Sequence, residues 1–226
     1  MNRLLFLLTF GVTGAAILIA LGVWQVQRLE WKESLLADIE ARISAAPMDL
    51  PAQPEPDRDE YLPVEAQGTI LPGELAVLVS RKNIGAGYRI IAPFRTADGR
   101  RILLDRGFVR DDNREAVRTL GPAVVTGNLH WPDETDRFTP EPDRATETWF
   151  ARDVATMARA LDTEPMLLVA RSQTDPGITP LPVGTEGIPN DHMQYAITWF
   201  SLAVVWIVMT AYFLWRPRAR KTGKVT

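Results

Sequence analysis

The sequence predicts an α+β membrane protein: two transmembrane helices flanking a small antiparallel β-sheet or open-barrel domain that carries one helix. Three observations predict it. Leu4–Val23 contains no Asp, Glu, Lys, Arg or His. Met193–Trp215 contains none either. About 20 such residues, rising ~1.5 Å each as a helix, match the ~30 Å hydrocarbon layer of a bilayer. Between the two runs, short stretches of Val, Ile, Leu and Phe alternate with Gly, Pro and Asp turn signals.

The 226 residues are 46% hydrophobic and 23% charged, an average that conceals a split. All 28 acidic residues lie between Glu30 and Asp191. Setting aside Arg3 and the five bases Arg216, Arg218, Arg220, Lys221 and Lys224, the middle carries about −9 against −3 for the whole chain. Such a section repels a polyanion, so no nucleic-acid partner is expected. Cysteine is absent. That excludes disulfide frameworks, thiolate metal sites, Cys nucleophiles and covalent heme attachment. Only His130 and His192 supply imidazole.

Residues 1–24 form the first transmembrane helix. A cleaved signal peptide is the rival reading, since Arg3 precedes the apolar run. The run exceeds a usual h-region, and no small-x-small site follows it before Trp24, which favours an uncleaved anchor. Residues 25–60 read as a membrane-exit helix followed by a linker. Gln25–Ile43 lacks Gly and Pro. Pro47, Pro51, Pro54 and Pro56 then stiffen the chain, and Asp57-Arg58-Asp59-Glu60 is expected to be solvated.

Residues 61–173 form the β-rich domain. Val64–Ile70, Leu75–Ser80, Tyr88–Ala92, Phe108–Val109, Val124–Leu129 and Met166–Ala170 are strand candidates. Asp98-Gly99, between Ile90-Ile91 and Ile102-Leu103-Leu104, is a tight hairpin signal because both residues tolerate positive φ. One helix is expected, with Asp153 as N-cap and Val154, Met157, Ala158 and Leu161 on one face. Residues 174–191 are a Pro/Gly-rich return strap. Residues 192–215 are the second transmembrane helix, and 216–226 a basic tail.

The positive-inside rule makes that tail cytoplasmic, and Arg3 puts the first end on the same side. The acidic middle is therefore outside. A mitochondrial precursor carries an Arg- and Ser-rich presequence before its first span, whereas this apolar run begins at Leu4. The expected location is a bacterial inner membrane, with the central domain periplasmic.

Catalytic constellations are weak. Gly85-Ala86-Gly87 lacks the third glycine of a dinucleotide loop and reads as a plain turn. His130 reads as structural or exposed. Asp105-Arg106-Gly107 reads as a local ion pair with a turn glycine, and the acidic runs as solvated loops. No enzyme is expected.

His192 stands apart because it immediately precedes an apolar span. Imidazole is the usual axial ligand of heme iron where thioether links are missing. Steps of seven drift only ~20° in a straight helix, so His192, Trp199 and Trp206 share a face about 21 Å long. His192 is either an iron ligand or an interfacial residue, and its chemistry alone leaves both open. Tyr195, Trp199 and Trp24 also suit an aromatic belt. Trp206 is too deep for one, and helix–helix packing accounts for it. Trp24, Arg28 and Trp31 lie at i, i+4 and i+7 on the first helix. Arg28 can pair with a propionate while its stem packs between the indoles, or simply snorkel. Gly11, Ala15 and Gly22 make a small-residue face that another helix can approach.

Three segments resemble the Surfeit-locus family, the Shy-type assembly factors of cytochrome oxidase. They are Leu21-Gly22-Val23-Trp24-Gln25 with Arg28, Trp31 and Lys32; Leu104-Asp105-Arg106-Gly107-Phe108-Val109; and Asn190-Asp191-His192-Met193-Gln194-Tyr195-Ala196-Ile197-Thr198-Trp199-Phe200. The third is the most specific. The resemblance runs over nearly the whole chain, including Tyr61-Leu62-Pro63-Val64.

It implies a non-enzymatic role in maturing heme-a-type terminal oxidases. By this resemblance His192 is the axial ligand of transiently bound heme a; Tyr195, Trp199, Arg28 and Trp24 are placed around it by their spacing and chemistry, not by the resemblance. The implied partners are the catalytic heme-bearing subunit of a terminal oxidase, heme a synthase and the lipid bilayer. Asp191 stands where many relatives have Asn. The alternative is a heme-independent membrane scaffold that stabilises an oxidase assembly intermediate. A sensor is set aside because the short cytoplasmic tail leaves no output module.

Overall fold

Two long apolar helices and a closed five-stranded barrel with a short helix make up the protein; the computed structural model describes residues 3–81, 85–143, 146–186 and 188–219. The chain divides into two units, Met1–Asp38 with Glu186–Thr226, and Ile39–Thr185.

In the first unit, α1 (Arg3–Ser44) runs for 42 residues. No proline interrupts it. At ~1.5 Å per residue it is about twice as long as a hydrocarbon layer is thick. The expected span and exit helix are thus one rod, whose last residues belong to the second unit. The last helix of the chain (His192–Ala219) begins at the expected residue. Both helices are long and apolar enough to cross a membrane, with mean hydropathy of 2.5 and 1.9. Only 11% and 6% of their apolar windows are buried. Apolar side chains therefore face outward around most of each circumference, which suits lipid and not the core of a soluble fold. Of the basic tail, Arg220, Lys221 and Lys224 lie outside the described residues.

The second unit runs β1 (Met48–Asp49), α2 (Pro56–Asp59), β2 (Pro63–Ile70), β3 (Leu75–Arg81), β4 (Gly85–Thr96), β5 (Arg101–Arg110), β6 (Gly121–His130), β7 (Thr148–Trp149), α3 (Val154–Leu161) and β8 (Leu167–Ala170); the apolar helix that follows is α4. β2, β6, β8, β5 and β4 hydrogen-bond in that order. β4 then pairs back onto β2 through Gly68–Thr96, Thr69–Arg95 and Ile70–Phe94, closing the ring. Closure removes the strand edges that an open sheet exposes. It also corrects the antiparallel expectation. With an odd number of strands, neighbours around a ring cannot all be antiparallel, and the parallel pair falls at β5–β8.

The barrel is filled by Val64, Ala66, Ile70, Phe94, Ile102, Leu104, Val125, Leu129 and Leu168. A second layer, Val77, Ile91, Leu103, Leu167 and Val169, packs outside the wall beneath Val154, Met157 and Ala158 of α3. β5 and β8 are buried on both faces, which is why Ile102-Leu103-Leu104 and Leu167-Leu168-Val169 read as unbroken apolar runs. α3 is capped as expected: the Asp153 carboxylate accepts the Thr156 N–H at 3.1 Å.

Local readings changed where distant chain meets them. The hairpin at Asp98-Gly99 has a three-residue loop closed by Thr96 and Arg100, and Gly99, at φ +90°, takes the left-handed position. Gly85-Ala86-Gly87 is not a turn; it opens β4 opposite Val79-Ser80-Arg81. Gly107 is not a turn glycine. Ile90 faces Gly107 while Ile91 faces Asp105, so Arg106 is the extra residue of a bulge. Gly107 has φ +117°, and the Thr179 carbonyl occupies the space a Cβ would need. Its neighbour Phe108 exchanges backbone hydrogen bonds with Thr179 at 2.7 and 2.9 Å, pinning the return strap to β5.

Asp105 and Arg106 form no local ion pair. Asp105, fully buried, pairs with Arg89 on β4, lies 3.7 Å from Arg152, and accepts the Gly107 N–H at 3.0 Å. Arg106 bonds the carbonyls of Thr119 and Thr174 at 2.9 and 3.3 Å and lies 3.8 Å from Asp175. Nor is the Asp57–Glu60 segment simply solvated. Asp59 is buried, accepting the Glu55 N–H at 2.8 Å and Arg58 Nε at 2.9 Å. Glu60 holds His130 Nδ1 at 2.5 Å, and that ring stacks on Tyr61, which gives His130 its structural reading. Asn128, buried in β6, donates to the carbonyls of Ile43 and Tyr61 at 3.0 and 2.9 Å. The Ile43 carbonyl, at the C-terminal end of α1, also accepts from Arg171 Nη1 at 3.1 Å, so side chains of the barrel unit satisfy a group that the helix leaves unpaired.

Acid should weaken this unit. The Thr156 hydroxyl holds the Asp153 carboxyl below its usual range, and the Arg58 guanidinium does the same for Asp59. Burial pushes Asp175 up, but the Thr119 and Gly177 N–H groups outweigh it and leave the carboxyl lowered. Stability from such groups is present above the unfolded value of ~3.9 and is lost as pH falls through the lower folded values. Urea midpoints of the full chain should therefore be lower at pH 3 than at pH 7, and equal midpoints would contradict this.

Candidate functional site

The first unit is built on a seam between α1 and α4. Glycines on α1 let large side chains of α4 settle against its backbone: Gly11 meets Thr210, Gly14 meets Trp206, and Gly22 meets Phe200. A Cβ added to Gly22 would sit 2.6 Å from the Phe200 ring. As numbers rise on α1 they fall on α4, so the helices are antiparallel. The expected small-residue face is present and includes Gly14. Trp206 packs between the helices as its depth suggested, and its indole N–H donates to the Gly11 carbonyl at 2.9 Å. Substituting Gly14 with valine should force the indole out. Since the chain has no cysteine, nitroxides can be placed at the exposed residues Ile17 and Val204. Pulsed EPR distances between them should lengthen or broaden in Gly14→Val, and an unchanged distribution would sink this role for the glycine.

His192 lies at the opposite end of the seam from Gly11. It is the first residue of α4, after Asp191, whose carbonyl accepts the Tyr195 N–H at 3.2 Å. From His192 to Thr210 the half-buried or buried positions of α4 are His192, Ala196, Trp199, Ala203, Trp206 and Thr210. Alternating steps of four and three make one helical face, and it is the face that meets α1. His192 Nδ1 lies 2.8 Å from Oε1 of Gln25, and Gln25 is only 8% exposed. Close by in sequence, the Asn190 amide oxygen is buried without a hydrogen-bond partner.

The other expected site residues separate into two groups. Trp199 shares the seam face with His192. Trp24 and Tyr195 are exposed, at 53% and 55%. Arg28 is also exposed, and its guanidinium lies 4.0 Å over the Trp31 ring instead of being held between two indoles. These three flank the seam and present aromatic and cationic groups outward.

Gln25 was missed as a site residue. Its signal was there: an amide at the end of an apolar run, three residues beyond Gly22 and so on the small-residue face.

The seam offers one imidazole. Among the described residues, no group of three or more His, Asp or Glu side chains could hold a metal ion. A metal held here must therefore bring most of its own ligands. Near Gly11 the two helices leave an apolar cleft of about 250 Å³, lined by Leu7, Phe10, Trp206, Met209, Thr210 and Phe213. A larger cavity of about 890 Å³ belongs to the barrel unit, between acidic loops that include Glu74, Asp136, Glu141 and Asp143. Burial raises the Glu74 carboxyl, and no imidazole is among the described residues that line the cavity.

Comparison with known proteins bears on the whole chain. Surfeit locus protein 1 of Rattus norvegicus is 31% identical over 231 residues, covering 91% of this chain and 73% of the rat protein. The Homo sapiens protein of the same name is 31% identical over 232 residues, covering 91% and 75%. A SURF1-like protein of Rickettsia felis is 29% identical over 229 residues, covering 95% and 96%. The sequence model of the SURF1 family matches residues 12–204, from within the first apolar helix, through the barrel, to within the second. The chain belongs to the SURF1 family.

Proposed function

We propose that this protein is an assembly factor for a heme-a-type terminal oxidase, and that it binds heme a through His192 at the outer membrane face and assists its insertion into the catalytic subunit. The observation that carries the reading is His192 at one end of a two-helix seam, with Nδ1 engaged by Gln25 and Nε2 making no hydrogen bond among the described residues. Family membership adds the expectation of an oxidase-assembly role without catalysis.

The residues present suit the group. Heme a combines an iron that takes imidazole, propionates that belong at an interface and an isoprenoid tail that belongs in lipid. His192 supplies the imidazole. Arg28, exposed one turn beyond Trp24, supplies a cation for a propionate. The exposed rings of Trp24 and Tyr195, with Trp199 on the seam face, supply apolar walls. A buried amide oxygen without a partner at Asn190 leaves an acceptor for a polar substituent. When bound, the heme contributes iron coordination and a visible spectrum; the protein contributes position. With one protein imidazole and no metal-ligand cluster among the described residues, the site is weaker than a saturated one and can release its cargo.

Orientation follows from the antiparallel pair. The start of α1 and the end of α4 share one side, and by the positive-inside rule the bases at 216, 218, 220, 221 and 224 of the sequence assign that side to the cytoplasm. His192 then opens toward the periplasm of a bacterial inner membrane, and relatives in Rickettsia are consistent with such a host. Heme a synthase is the donor partner in this scheme and the catalytic oxidase subunit the acceptor. The scaffold alternative uses the small-residue face of α1 and the acidic domain as its contact surfaces, and the first of these is already occupied. Gly11, Gly14 and Gly22 are covered by α4, so the heme-binding reading is preferred.

The test is co-expression of the full chain with heme a biosynthesis enzymes, purification in detergent and pigment extraction. Heme a recovered from the wild type and missing from His192→Ala supports the reading. Equal pigment in both, or none in the wild type, overturns it.

A further inference from the structure

We infer that Gln25 is a positioning residue that fixes the tautomer of His192, so that Nε2 is the nitrogen offered to iron. The inference rests on the proposed heme a site and adds to it a residue on the other helix. Neutral imidazole carries one N–H and one bare nitrogen, and only the bare one can coordinate a metal. In water the two tautomers interconvert, and a ligand that spends time with the wrong nitrogen bare loses affinity. Gln25 removes that freedom. Its Oε1 has only lone pairs to offer, so the Nδ1 facing it at 2.8 Å carries the proton and Nε2 is bare.

Burial makes the arrangement stick. Gln25 is 8% exposed and sits three residues after Gly22, whose missing side chain lets Phe200 pack close. An acceptor in such a place has little water to exchange with, and leaving it unbonded is costly. The contact also joins the two apolar helices at the His192 end, as the Trp206–Gly11 bond does near the other. Metal-binding histidines commonly donate their second N–H to an acceptor that orients the ring, and removing such an acceptor typically costs roughly 10–100-fold in metal affinity.

The test uses the full chain in detergent micelles, titrated with heme a and compared across wild type, His192→Ala, Gln25→Leu and Gln25→Glu. Gln25→Leu keeps the bulk and removes the acceptor, so heme a should bind roughly 10–100-fold more weakly. Gln25→Glu keeps an acceptor and strengthens it. Affinity should be retained, while the iron–histidine stretch in the ferrous resonance Raman spectrum moves up and the heme midpoint potential moves down. A purely structural glutamine does not move that stretch. Nitrogen-15 NMR of His192 in heme-free wild type should show the proton on Nδ1.

Two failures are distinguishable. If His192→Ala binds heme a as wild type does, the heme site itself is wrong. If His192→Ala loses heme a but both Gln25 variants match wild type in affinity and iron–histidine stretch, or the free ring carries its proton on Nε2, Gln25 does not position the ligand.

Discussion

Replacing His192 with alanine is expected to cost most of the heme a affinity while leaving the barrel intact. The imidazole is the only strong iron ligand the seam supplies, since the chain has no cysteine and its other histidine, His130, is committed to Glu60 in the barrel unit. Without it, the apolar walls and Arg28 remain, so residual partition of heme into the detergent-exposed face is expected, but not a ligated spectrum. The measurement is a titration of purified full-length protein with heme a, following the Soret band. Wild type should give a saturable shifted band and His192→Ala a weak, non-saturating one. His192→Met, a softer ligand at the same place, should restore a band at a different position. Thermal unfolding of the β signal should coincide in all three, because His192 belongs to the helical unit and not to the barrel. An unshifted, saturable band in His192→Ala removes the ligand assignment.

Removing the Asp105 carboxylate is the second large effect, and it falls on stability. Asp105 is shared by Arg89 and Arg152 inside the barrel wall and accepts the Gly107 N–H at 3.0 Å. Arg152 is itself tied to Glu134, with Nε at 3.1 Å from Oε1. Asp105→Ala removes from low dielectric the carboxylate that Arg89 and Arg152 share, and strips the bulge of its acceptor. Breaking a buried pair from one side costs about 3–5 kcal/mol. For a unit of this size that lowers Tm by roughly 6–20 °C. Asp105→Asn retains an acceptor for Gly107 and should fall between alanine and wild type. Scanning calorimetry or circular dichroism of the full chain decides it. A Tm within a degree of wild type for Asp105→Ala would mean the network contributes nothing net.

Gln25 and Asp105 mark different limits of sequence reading. Both are polar residues close to apolar runs, and both are spaced to share a face with known features. Gln25 follows Gly22 at i+3, so helical periodicity points to it once the partner helix is accepted. Nothing local points to Arg89 as the partner of Asp105. Sixteen residues separate them, and the bulge at Arg106 shifts the register between them. The Asp105-Arg106-Gly107 string invited a local ion pair because neighbours in sequence are the only pairs a sequence displays. In the strand the two side chains diverge, one to Arg89 and the other to Thr119, Thr174 and Asp175.

Much of the fold was legible for the same reason that some of the site was not. Local preferences are written in adjacent residues. Two runs without charge define the helices that suit lipid, and Asp153 with the 3–4 spacing after it defines α3. Gly99 marks the hairpin, and the uncharged run that follows His192 marks the start of the last helix. The sequence by itself determined those elements, because backbone propensity and amphipathic period act within a few turns. Only the tertiary structure decided that β2 meets β4 to close a five-stranded ring, that one pair in that ring is parallel, and that His192 meets Gln25 from 167 residues away. Those pairings are set by which distant surfaces bury apolar area and satisfy each other's polar groups, a selection made by the whole chain at once and not by any short segment of it.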